Sequence, residues 1–178
     1  MLSLRNFIDV YFFRPLKNFF SRLLRKGSSS TKSCTVYRKD GNLYVVTTFK
    51  TDTGLLLENL PIYRLQEDDA VLFDKLIRES LEISNRIVRV PNREETAATQ
   101  KLLLKNLQER SFKSLYTKAK ACGIFIAKTE ITVYPYITDN PKRGMREIAD
   151  RRARFEEDEN GLNLAIAYLR ECLFDHRD

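Results

Sequence analysis

The sequence predicts an α+β protein: an antiparallel or mixed β-sheet of about five to six strands with helices packed on it, preceded by an N-terminal amphipathic helix. Three observations carry this expectation. Two pairs of β-rich segments, one around Asp40-Gly41 and one around Thr129, are each joined by a short turn. Residues 67–84 and 162–173 carry apolar side chains at helical spacing. No internal repeat interrupts this alternation, and the implied order is β-β-β-α-β-α-α-β-β-α.

The elements follow in turn. Residues 3–26 read as one helix, or as two meeting at Pro15, because proline disturbs a helix interior but is tolerated in a first turn. Leu16, Phe19, Phe20, Leu23 and Leu24 fall on one side of it, and Lys17, Asn18, Ser21, Arg22 and Arg25 on the other. Residues 27–33, glycine followed by serines, threonine and lysine, read as a flexible linker, so a single α+β domain is expected over 34–178.

In that domain, strands are expected at 34–38 and 43–50, and a third at 55–57 or 62–65 with Pro61 marking an interruption or an edge. Residues 67–84 form a helix with Glu67, Asp68 and Asp69 in its first turn, where the helix dipole favours acids. A short strand at 86–90 precedes helices at about 94–108 and 111–122. Strands follow at 124–128 and 131–137, then a charged, helical 145–158, and a final helix at 162–173.

Charge is unevenly spread. The chain of 178 residues has a net charge of +7, but residues 1–33 hold seven basic groups and one acid, which leaves 24 basic and 23 acidic groups for 34–178. The basicity belongs to the leader, and a general phosphate-binding surface on the domain is not expected. The basic run Lys142, Arg143, Arg146, Arg151, Arg152 and Arg154 reads as a solvated helix whose Arg152 and Arg154 meet Glu156 and Asp158 one turn on, so nucleic acid is not an expected partner. Three cysteines, Cys34, Cys122 and Cys172, are far apart and odd in number, which points to reduced, buried thiols in the cytoplasm.

The chemistry-bearing residue types are sparse. His176, the only histidine, sits two residues from the chain end, and nucleophile–histidine catalysis needs that ring held rigidly. One histidine and unpaired cysteines give no zinc spacing, and no phosphate loop or dinucleotide fingerprint is present. No catalytic residue, cofactor or metal is expected. The leader has two readings: Phe12, Leu16, Phe19, Phe20 and Leu23 face lipid at the inner-membrane surface, or they pack on the domain or a second copy.

Two blocks resemble a known family. The first is Asp40-Gly41-Asn42-Leu43-Tyr44-Val45-Val46-Thr47-Thr48-Phe49-Lys50-Thr51, then Gly54, then Leu60-Pro61-Ile62-Tyr63 and a helix. The second is Ser111-Phe112-Lys113-Ser114-Leu115-Tyr116-Thr117-Lys118-Ala119, Gly123-Ile124, Ile131-Thr132-Val133-Tyr134-Pro135 and Arg143-Gly144. Over roughly 34–145 the chain is similar to contact-dependent growth inhibition immunity proteins. That resemblance implies a non-enzymatic cytoplasmic protein whose partner is the cognate toxin domain, often a nuclease, at the C-terminus of a large secreted protein. A nuclease cleft is positive where it holds phosphate, so acids are the expected contacts: Glu67, Asp68 and Asp69 together with Glu156, Glu157, Asp158 and Glu159. A peripheral membrane adaptor and a nucleic-acid-binding module are the alternatives.

Overall fold

The computed structural model describes residues 31–175. The leader, with Phe12, Leu16, Phe19, Phe20 and Leu23, and His176 lie outside the described residues. The elements are β1 (Thr31–Lys39), β2 (Asn42–Thr51), β3 (Leu56–Gln66), α1 (Ala70–Ser84), β4 (Ile87–Val88), α2 (Arg93–Asn106), α3 (Phe112–Lys118), β5 (Lys120–Ala127), β6 (Glu130–Asn140), β7 (Gly144–Glu147), a 3-10 turn (Ala149–Arg151), β8 (Ala153–Glu156) and α4 (Glu159–Phe174).

The expected α+β class holds, and the sheet is larger than expected, with eight strands among the described residues. Its path is β3-β2-β1-β5-β6-β7, antiparallel throughout, while β4 pairs β2 in parallel and β8 pairs β6. The β1–β2 hairpin turns at Asp40 and Gly41, both with positive φ (51° and 72°), the backbone signature of a two-residue turn that Asp-Gly adopts readily. The third strand is continuous, because Leu60 and the cis-linked Pro61 are an insertion in it: β2 partners jump from Thr47–Asn59 to Val46–Ile62.

Helix starts follow the capping chemistry in the sequence. Asp69 accepts from the Leu72 amide at 2.9 Å, Asn92 and Glu95 form a reciprocal capping box, and Asp158 accepts from the Gly161 amide at 2.6 Å. Gly161 sits so close to the end of β8 that a Cβ there would lie 2.1 Å from the Glu156 carbonyl oxygen.

Strand alternation splits the core in two. On one face Val36, Val45, Leu65, Ile124 and Val133 pack under α1 and α4, through Phe73, Ile77, Leu81, Ala165 and Leu169. On the other, Tyr37, Tyr44, Val46 and Ala121 pack under α2 and α3, through Leu103, Leu107 and Leu115. A buried ion pair ties β1 to the loop between α2 and α3: Lys39 Nζ lies 2.8 Å from Glu109 Oε1, and the two side chains are 3% and 2% exposed. All three cysteines are free and buried.

Four expectations are corrected. β1 starts at Thr31, so the last residues of the expected linker belong to the sheet, with Thr31 and Ser33 buried. The expected helix 111–122 ends at Lys118, because Ala121 and Cys122 are claimed by pairing with Tyr37 and Val36 of β1. The expected third strand at 55–57 or 62–65 is a single strand over both. The expected helix over 145–158 is instead β7, the 3-10 turn and β8, which line successive parts of β6. There Ala153 and Phe155 stand opposite Val133 and Ile131, so the apolar period is two and pairing with an exposed sheet edge prevails over helical propensity.

Candidate functional site

The acids singled out from the sequence are not brought together. Arg78 of α1 pairs Glu159 at the start of α4, while Arg170 near the end of α4 reaches the Glu67 carbonyl before α1, so the two helices run antiparallel. Glu67–Asp69 and Glu156–Glu159 therefore lie towards opposite ends of α4. Several of these carboxylates also have structural work. Glu67 takes two bonds from Arg38, each 3.0 Å, and Asp69 and Asp158 are the caps of α1 and α4. Glu156, Glu157 and Asp68 are exposed.

The basic run is largely neutralised, with partners other than the expected ones. Arg146 pairs Asp139, Arg151 pairs Asp175, Arg152 pairs Glu147 rather than Glu156, and Arg154 pairs Glu130 rather than Asp158. The strand conformation explains the change, since one-turn neighbours of a helix are not neighbours on a strand. Among the described residues no group of three His, Cys, Asp or Glu side chains stands close enough to hold a metal ion.

A different site emerges on the sheet itself. Helices α2 and α3 cover only the part of their face around Tyr37, Tyr44 and Ala121. Beyond it lies a cleft of about 270 Å³ lined by Ser33, Thr35, Thr48, Glu58, Gly123 and Tyr136, with Leu56, Phe125 and Tyr134 around them. Its wall includes one large exposed apolar side chain, Leu56, at 45%.

Glu58 is the centre of this arrangement. It stands opposite Thr48 in the β2–β3 register and accepts a 2.7 Å hydrogen bond from the Tyr37 hydroxyl, with Thr35 as a second donor. Burial raises its carboxyl above the usual range, against the lowering effect of those two bonds. In turn, burial and the nearby Glu58 charge push the phenols of Tyr37, Tyr116 and Tyr136 upward, Tyr136 to about 12. Among the described residues no cation pairs with Glu58. Arg152 lies over the Tyr134 ring at 5.4 Å but is held by Glu147, and Arg89, lining the neighbouring hollow, is held by Glu95.

The cleft floor depends on a glycine. A Cβ at Gly123 would meet the Tyr136 hydroxyl at 3.0 Å and its Cε2 at 3.2 Å, so the absence of a side chain lets that ring lie across β5. Gly123→Ala is expected to swing the ring outward with less than about 1 kcal/mol lost, because only the far end of a side chain must move. The Tyr136 phenol, near 12 in the native protein, should then titrate closer to 10, as followed by ultraviolet difference absorption.

No sequence pattern marks this cluster, because its members come from β1, β2, β3, β5, β6 and α3 and share no motif. The one local signal was Glu58 itself, a carboxylate inside a β-rich stretch.

Neither a protein-family model nor a curated protein matches the sequence. Solved structures do share the fold. A protein of unknown function from Neisseria meningitidis superposes with a TM-score of 0.62 at 13% identity, covering 84% of this chain and 98% of that one. A CdiA-CT/CdiI toxin and immunity complex from Yersinia pseudotuberculosis contains a chain that superposes with a TM-score of 0.57 at 10% identity, covering 82% of this chain and 99% of that one.

Proposed function

We propose that this chain is an immunity-type binding protein: it captures the toxin domain at the C-terminus of a large secreted protein and neutralises it by occupancy rather than by catalysis. The observation that carries this reading is the open cleft on the sheet, a half-buried carboxylate among tyrosines with the exposed Leu56 in its wall. Tyrosine and apolar anchors around a central desolvated polar group are the anatomy of a protein-binding surface. The likeness of fold to a chain of a toxin and immunity complex supports the same reading. So does the sequence resemblance to contact-dependent growth inhibition immunity proteins over 34–145.

The exposed acids Glu156, Glu157 and Glu159 fit as a steering patch, drawing in a partner with a positive phosphate-binding cleft. Co-expression with the toxin domain encoded beside this chain tests the proposal. Growth should be restored and the two proteins should co-purify, while reversing the three acids to lysine should slow association roughly ten-fold at low salt. Failure to protect, with no complex formed, would overturn the reading.

A further inference from the structure

Among the described residues, the cleft has an acceptor without a matching cation. A carboxylate offers about four lone-pair positions, and the hydroxyls of Tyr37 and Thr35 occupy two of them. The remaining side of Glu58 borders a space of about 270 Å³, several times the ~30 Å³ that a water molecule takes up in the liquid. The walls of that space include Tyr136, Tyr134, whose ring already carries Arg152 at 5.4 Å and so sits in a cation's reach, and Thr48. A metal ion is a poor match, since the lining offers one carboxylate and neutral hydroxyls. An anion is repelled by Glu58. A free apolar group would leave the carboxylate unmatched.

Resting on the reading of a protein partner, we propose that the cleft receives one guanidinium or ammonium side chain of that partner, with Glu58 as its counter-ion and Tyr134 and Tyr136 as its aromatic walls. A guanidinium fits best, because its planar fork can engage the free side of the carboxylate while lying against a ring. Leu56 and Phe125 then border the contact and exclude water around it, which strengthens the pair.

Binding of this kind has a pH signature. Burial favours the protonated form of Glu58, and a cation favours the ionised form, so affinity should rise with pH until Glu58 is fully ionised in the free protein. The other titratable groups around the cleft are Cys34, Tyr134 and the phenols of Tyr37, Tyr116 and Tyr136, the last three held neutral over that interval by burial and the Glu58 charge. Arg89 and Arg152, the neighbouring cations, stay charged throughout.

Glu58→Gln is the test, because the amide oxygen can still accept from Tyr37 while the charge is lost. Where the toxin complex forms, the substitution should weaken it about 30-fold or more and flatten its pH dependence. Substituting one toxin arginine or lysine should then add nothing further. Binding of Glu58→Gln within about three-fold of the native protein overturns the assignment.

Where no toxin complex forms, the immunity reading falls and a direct titration decides the cleft alone. Methylguanidinium chloride, against sodium chloride at equal ionic strength, should shift the Gly123 amide and Tyr136 ring resonances of the full chain saturably. Glu58→Gln should abolish that response. No saturable shift, or one that persists in Glu58→Gln, overturns the inference.

Discussion

Glu109→Leu is expected to destabilise the protein by about 3 kcal/mol or more, because it strands a buried ammonium. Lys39 is 3% exposed, its nearest carboxylate is Glu109 at 2.8 Å, and the remaining one, Asp40, is 3.4 Å away on a largely exposed side chain. Removing both charges together, as Lys39→Met with Glu109→Leu, should recover much of the loss, since a desolvated pair is costly to break but not necessarily better than well-packed apolar groups. Denaturant melts of the two single variants and the double variant give the coupling directly. Acid titration offers a second reading. Burial acts to raise the Glu109 carboxyl, but hydrogen bonds from Lys39, Ser114 and Lys118 outweigh it and hold it at about 2, below its ordinary 4.5. Its contribution is therefore complete above pH 4.5 and disappears as the pH falls towards 2, a loss that Glu109→Leu should not show.

Gly161→Ala is expected to cost about 3 kcal/mol, the upper part of the range for forcing an atom into filled space. The added Cβ would stand 2.1 Å from the Glu156 carbonyl oxygen and 3.1 Å from its carbon, both backbone atoms that no rotamer change can clear. Either the first turn of α4 or the end of β8 must move, and Asp158, which caps the helix through the Gly161 amide, moves with them. A fall in Tm of roughly 6–12 °C should result for a domain of this size. Asn160→Ala, one residue earlier and exposed, is the control and should stay within about 0.5 kcal/mol. A melt of Gly161→Ala indistinguishable from that control would show that the β8–α4 junction yields easily.

Much of the fold was legible because local chemistry and tertiary need agree. Asp40-Gly41 tolerates the positive φ that the hairpin requires, and Asp69, Asn92 and Asp158 are capping residues where helices begin. Legibility failed where a partner strand decided the conformation. Charges spaced along 145–158 suggest a helix, but the free edge of β6 recruits that segment as β7 and β8. Ala119 and Cys122 continue the apolar pattern of α3 by accident, while β1 pairs with residues 120–127. The site was hidden for a related reason. The acids conspicuous in sequence include two helix caps and one partner of Arg38, whereas Glu58 acquires its surroundings only when Tyr37, Tyr116 and Tyr136, up to 78 positions away, converge on it.

The central place of β1 has a bearing on how the molecule is made. One side of this strand is matched at once by β2, but the other waits for β5, from Arg38–Lys120 to Thr31–Ala127. A ribosome adding about 5–20 residues per second takes roughly 4–16 s to supply those eighty-odd residues. Throughout that interval the nascent chain offers an unmatched row of amides and carbonyls in the middle of its future sheet. Until residue 127 emerges, the long sequence gap between β1 and β5 leaves that row able to pair with another extended strand.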